Sequence, residues 1–207
     1  MKVVIQRVTR ASVEVEGRII GRIGAGLLVL LGVAKGDDER DLLYIVEKLQ
    51  TLRIFGDEQG KMNRTLIEAG GALLLVSQFT LLGDTSKGRR PGFDLAALPE
   101  EARTLYEQAV GRLRADGLTV ETGLFGAHMQ VELLNDGPVT FLLDSRRGAS
   151  APTLKSGSRM PIRSQGESLL GLSMVCYTIF KGQGLPGRSR WEVPFLAAIH
   201  SDSSSER

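Results

Sequence analysis

The chain has 207 residues, of which 42% are apolar and 24% charged, with one Cys and two His; this composition excludes collagen, coiled coil and wholesale disorder. The lone Cys176 excludes an internal disulfide and a thiol zinc site, and no run of about 20 apolar residues is present to span a bilayer. Residues 146–207 carry 9 Lys/Arg against 4 Asp/Glu and residues 1–145 carry 17 against 20, so the body can meet nucleic acid only through a local basic patch.

Val3, Ile5 and Val8 open a strand. The apolar run before Gln6 and Arg7 is too short for a signal peptide, and a cytoplasmic protein is expected. Residues 12–16 alternate, turn at Gly17 and continue as a hairpin through 19–23. Residues 27–33 form a continuous apolar run, which suits a strand buried on both faces. Asp37, Asp38 and Glu39 then start a helix over 38–52, where the helix dipole favours acids, and Leu42, Ile45, Val46 and Leu49 form its apolar stripe.

A second buried strand is expected over 72–79, entered through Gly70-Gly71, and a second helix over 99–115 with Pro99 in its first turn. Residues 129–133 alternate, with His128 in the same strand segment; Asn135-Asp136-Gly137-Pro138 then turns the chain into a strand over 139–143. Short hairpin-like spacings predict α+β: mostly antiparallel strands in a rolled, barrel-like sheet with two main helices. Beyond residue 145, Ser, Gly and Pro make up 22 of 62 residues. Two apolar runs, 169–180 and 193–199, interrupt that stretch. The expected organisation is a domain over 1–145 and a poorly ordered basic extension over 146–207; a docked element or a partner-binding motif is the other reading.

Side-chain catalytic devices are scarce. No HExxH, GxSxG or P-loop pattern occurs, and His128 is the body's only His. No metal and no cofactor are expected. Ser77-Gln78-Phe79-Thr80, at a strand end, sets three polar side chains around an aromatic. A strand terminus frees backbone N–H groups, which can form an oxyanion hole; hydroxyls that merely cap the strand explain it equally well. Lys87, Arg89 and Arg90 place three cations in four residues of a Gly/Pro loop, suited to phosphate or simply solvated. Gly137-Pro138 can adopt a cis bond.

In order along the chain, residues 5–8 (IQRV), 52–55 (LRIF), 60–63 (GKMN), 77–81 (SQFTL), 87–91 (KGRRP), 123–127 (GLFGA) and 135–140 (NDGPVT) together resemble the D-aminoacyl-tRNA deacylase family over about 1–145. The extension lies outside the resemblance. Leu82-Gly83, Gly92 and His128 depart from the family's usual residues, outside the two central motifs. The resemblance implies hydrolysis of the ester joining a D-amino acid to the terminal adenosine of tRNA, by a homodimer whose sites are each completed by the partner's Gly-Pro turn. It implies a cis Gly137-Pro138 peptide that selects chirality by main-chain contact, which also predicts acceptance of achiral glycine. Ser77, Gln78, Phe79 and Thr80 are the expected catalytic segment; Asn135, Gly137, Pro138, Val139, Thr140 and Arg7 the expected substrate-binding set, with Arg7 buttressing the turn; Lys87, Arg89 and Arg90 the expected RNA contacts. Two routes remain: Thr80 as nucleophile, or a water assisted by the tRNA 2′-OH, which better explains the missing base. A non-catalytic tRNA-binding module of the same fold and a small-molecule esterase using Thr80 are the competing functions.

Overall fold

The computed structural model describes residues 1–86 and 88–148. The expected extension with its apolar runs and Cys176 lies outside the described residues, and so does Lys87. In chain order the elements are β1 (Lys2–Val15), β2 (Arg18–Ile23), β3 (Gly26–Gly32), α1 (Glu39–Thr51), β4 (Phe55–Gly56), β5 (Met62–Arg64), β6 (Ala72–Ser77), a 3-10 turn (Phe79–Leu82), α2 (Pro99–Ala115), β7 (Val120–Thr122) and β8 (Gln130–Asp144), followed by a one-turn helix, Ser145–Gly148.

The sheet is mixed: most of its pairing is antiparallel, as expected, but not all of it. β1 pairs antiparallel with β2, β3 and β8, but β3–β6 and β6–β7 are parallel. The physical reason is the helices: β3 reaches β6 through α1 and β6 reaches β7 through α2, and helical crossovers return the chain to pair in the same direction. The apolar run of β3 is therefore the signature of a parallel strand covered on both faces. Leu27, Val29 and Leu31 face one core with Leu73 and Leu75 of β6, and this core is closed by Leu42, Ile45 and Leu49 of α1 and Tyr106, Ala109 and Leu113 of α2. Leu28, Leu74 and Val76 face a second core with Val8, Ala11, Val13 and Ile23.

β1 serves both cores. Val3 and Ile5 point to the helices, whereas Val8, Ala11 and Val13 fill the second core, and the β1–β8 register shifts between Gln6 and Arg10, where the strand changes faces. The sheet rolls so that β2 lies over β6 and β7. A Cβ at Gly21 would meet Thr122 O at 2.5 Å, so only glycine permits the approach.

Asp38 caps α1, and with Asp41 it forms a reciprocal capping box. Asp37, expected among the helix-start acids, instead lies buried against the Met1 α-ammonium at 2.7 Å and accepts the Ala34 N–H at 2.6 Å. Tyr106 donates its buried hydroxyl to Leu75 C=O at 2.8 Å, and burial pushes its pKa up to about 12. Its ionisation then occurs more easily in the unfolded chain than in the folded one. The resulting stability is fully present below pH ~10 and is lost between about pH 10 and 12, at about 1.4 kcal/mol per pH unit. Tyr106→Phe should remove that one-proton slope from the alkaline limb of a denaturation series while costing only about 0.5–1.5 kcal/mol at neutral pH, since Leu75 C=O keeps the Gly123 N–H at 3.1 Å.

Candidate active site

β6 ends at Ser77, which stands opposite Leu31 in the parallel ladder. The Gln78 N–H donates to Leu31 C=O at 2.8 Å, so it continues the ladder and is not a spare donor. The chain then turns: Leu81 N–H donates to Gln78 C=O at 3.3 Å and Gly83 N–H to Thr80 C=O at 3.0 Å. In such a turn the first N–H groups, here those of Phe79 and Thr80, have no acceptor within the helix. Gly32 makes the arrangement possible, because a Cβ there would meet Leu82 Cδ2 at 2.5 Å and Gln78 O at 2.8 Å.

The side chains differ from the sequence expectation of an aromatic wrapped in polar groups. Gln78 Nε2 donates to Thr80 Oγ1, tying two of the polar residues to each other. Phe79 is 58% exposed and meets Phe93 edge-on, with ring centroids 5.0 Å apart. Phe93 follows directly on the basic loop, whose base is closed by two 2.8 Å hydrogen bonds between the backbones of Asp84 and Gly92. Arg89 and Arg90 are exposed in that loop. The 77–80 segment and the basic loop are thus neighbours.

The NDGPVT segment is not a reversing turn. β8 runs through it: Asn135 is opposite Val8 and Thr140 opposite Gln6, leaving residues 136–139 as a bulge facing Arg7. The Gly137-Pro138 peptide is cis and Gly137 has φ +140°. A Cβ on Gly137 would lie 2.6 Å from Val139 Cγ2 and 2.7 Å from Val139 N, so glycine is required.

The bulge is clasped from both sides. Asn135 Nδ2 donates to the carbonyls of Arg7 and Val139, at 3.2 Å each, and Asn135 Oδ1 accepts the Val139 N–H at 3.1 Å. Arg7 Nε lies 3.2 Å from Asp136 O and 3.0 Å from its carboxylate, while Arg7 Nη1 donates to Ile54 C=O at 2.6 Å. Gln6 Nε2 reaches Thr140 Oγ1 at 3.4 Å. A hollow of about 430 Å³ opens beside the bulge, lined by Arg7, Met62, two glycines of the β4–β5 hairpin and residues 136–139.

The two motifs do not meet within one protomer. Ser77 stands at the level of Val3 and three strands away from β8, and the bulge stands at the level of Arg7. At ~4.8 Å between strands and ~3.3 Å per residue, that is roughly 14 Å across the sheet and 13 Å along it. A second hollow does bring Leu81 together with Leu142 of β8, but Leu142 lies four residues up the strand from Pro138 and the bulge takes no part in that hollow.

His128 lies outside β8, exposed in the segment that precedes it, and is not a strand residue. Among the described residues no group of three His, Cys, Asp or Glu could hold a metal ion, and no helix is long and apolar enough to cross a membrane. Sequence reasoning missed Gly32, Asp136 and Met62. The GKMN stretch around Met62 carried a signal, as part of the resemblance, but nothing in it named a role.

The model of the family described as D-Tyr-tRNA(Tyr) deacylase matches residues 4–144. The chain belongs to this family. The D-aminoacyl-tRNA deacylase of Symbiobacterium thermophilum is 60% identical over 147 residues, which is 71% of this chain and 97% of that one. The D-aminoacyl-tRNA deacylase of Anaeromyxobacter dehalogenans is 61% identical over 147 residues, covering 71% and 99%. Among solved structures, the c-Myc DNA Unwinding Element Binding Protein superposes with a TM-score of 0.67 at 44% identity, covering 70% of this chain and 98% of that one. A probable eukaryotic D-amino acid tRNA deacylase, with a TM-score of 0.58 at 19% identity, shares the fold. The deacylase family match ends at the close of β8, so residues beyond it have no counterpart in the family model.

Proposed function

We propose that this chain acts in the cytoplasm as a homodimer that hydrolyses the ester of D-aminoacyl-tRNA, as chiral proofreading. Family membership makes it an ester hydrolase of the D-aminoacyl-tRNA deacylase kind. The observation that carries the shared site is the separation of the two motifs: one aminoacyl ester cannot touch Phe79–Thr80 and Gly137-Pro138 of the same protomer. A second copy resolves this by bringing its bulge to the first copy's 3-10 turn. β8 supports the pairing, because among the described residues it bonds only β1 and leaves a 15-residue edge with Val131, Leu134 and Leu142 exposed. Long unpaired edges are normally covered.

Such an enzyme must accept many side chains and reject one hand. A shaped side-chain pocket cannot do that. The clasped bulge instead offers main-chain atoms at fixed positions, where the substituents on the acyl Cα of an L-residue clash while those of a D-residue fit. Glycine has no side chain to clash and is accepted on the same logic. Asn135, Val139, Thr140 and Arg7 act by holding the bulge.

The ester is already activated, and the barrier falls mainly through the oxyanion. The Phe79 and Thr80 N–H groups are the donors, and one well-placed donor is worth about 3–4 kcal/mol. Thr80 is a poor nucleophile here: its hydroxyl is bonded to the Gln78 amide, which cannot accept its proton. A water activated by the 2′-OH of the terminal ribose fills that role and restricts the enzyme to RNA esters. Arg89 and Arg90, with Lys87, hold phosphate.

The decisive assay compares D-Tyr-tRNA with L-Tyr-tRNA. Hydrolysis of the first alone is expected; protection of both esters would make this a binding module. Replacing the terminal 2′-OH by hydrogen should lower single-turnover hydrolysis by about 10²-fold or more, while Thr80→Ala keeps most of the rate. The reverse pattern would restore Thr80 as nucleophile.

A further inference from the structure

The β4–β5 hairpin has no part in the chemistry above, yet it forms one wall of the hollow beside Gly137-Pro138. Its loop is rigidly made. Asp57 carboxylate oxygens accept from Asn63 Nδ2 at 2.7 Å and from the Gln59 and Lys61 N–H groups at 2.9 Å each. Arg7 joins this hairpin to the bulge, since one side chain bonds both Ile54, at the hairpin's entry, and Asp136. One side chain therefore ties the hairpin to the bulge.

Met62 is the apolar group of that wall. It is 51% exposed and faces Gly56 across the ladder, so no cross-strand side chain covers it. Gly60 leaves the rest of the wall open. An exposed thioether flanked on its own wall by Gly56 and Gly60, next to Gly137-Pro138, is an adaptable surface: methionine is unbranched, polarisable and suited to partners of varied shape.

We propose that Met62 is a specificity-determining residue, contacting the side chain of the D-aminoacyl group while the Gly137-Pro138 backbone reads the atoms shared by all amino acids. This rests on the deacylase reading and deepens it. The bulge decides which hand is accepted, and Met62 tilts the preference among D-residues toward those large enough to reach it. Acceptance stays broad because Met62 lines an open hollow and encloses nothing.

The test is Met62→Ala and Met62→Leu in the full chain, with kcat/KM measured on D-Tyr-tRNA, D-Ala-tRNA and L-Tyr-tRNA. Met62→Ala should lower D-Tyr-tRNA turnover about tenfold and leave D-Ala-tRNA within twofold, the range that loss of a few apolar groups produces. Met62→Leu should restore most of the difference, and the thermal midpoint should not move. An equal fall on both D-substrates would mean that Met62 positions the bulge or the RNA, and no change on either would mean that it faces solvent; both results overturn the proposal. Wild-type enzyme that leaves D-Tyr-tRNA intact would instead overturn the deacylase reading itself.

Discussion

Gly137→Ala is expected to lower D-aminoacyl-tRNA turnover by about 10²-fold or more, the cost of displacing a recognition group by about 1 Å. The added methyl has nowhere to go: its neighbours are Val139 Cγ2 and Val139 N, and the latter is tied to Asn135 Oδ1. The backbone at φ +140° must therefore shift, and the main-chain atoms offered to the substrate shift with it. The bulge lies outside both cores, so the stability cost should stay within about 1–3 kcal/mol. Single-turnover hydrolysis of D-Tyr-tRNA, beside a thermal melt, separates the two effects. Full activity in a folded variant would remove the bulge from the recognition mechanism.

Phe79→Pro should cost about 10²–10³-fold, for a different reason: it deletes one backbone N–H from the proposed oxyanion site, and losses of about that size follow removal of a single such donor. The fold can tolerate it. Phe79 is the first residue of its turn, where proline's missing donor has no helical partner, and Gln78 before it, at φ −145° and ψ 82°, lies outside the α region that a following proline disfavours. The ring is also lost, so Phe79→Ala is the control. It keeps the N–H, loses the edge-on contact with Phe93 and should retain far more activity in the same single-turnover assay. Equal losses in the two variants would assign the effect to the ring.

Much of this was legible in the sequence because the local signals agreed with the tertiary structure. Pro99 and the acids after it placed α2, and the stripe of Leu42, Ile45, Val46 and Leu49 placed α1 with its buried face. Strand pairing was less legible. Hairpin-like spacing suggested antiparallel neighbours, whereas the direction of β6 and β7 was decided by the helices that precede them. The same unbroken apolar runs that marked β3 and β6 as buried also marked them as parallel, a reading that composition allows but does not force.

At the candidate site, motif order singled out the segments, and geometry then changed how they read. The NDGPVT segment reads as a turn because Asn, Gly and Pro usually reverse a chain. Here β1 continues on both sides of it, and the ladder absorbs the four residues as a bulge. Gln78 looked like one of a set of donors, but the ladder to Leu31 takes its N–H. The placement of Met62, Gly32 and Asp136 beside the two motifs was not legible, because it comes from what lies across a gap, and no spacing along one chain encodes that.

Main-chain atoms of one subunit are expected to complete a site on the other. Mixing Gly137→Ala with Phe79→Pro subunits, by co-expression with two different tags, tests it most directly. In a dimer containing one of each, one site pairs an intact 3-10 turn with an intact bulge, and the other site carries both defects. Random assembly should then restore D-Tyr-tRNA hydrolysis to about a quarter of the wild-type rate, with L-Tyr-tRNA left intact. A mixed dimer no more active than either parent would contradict the shared site.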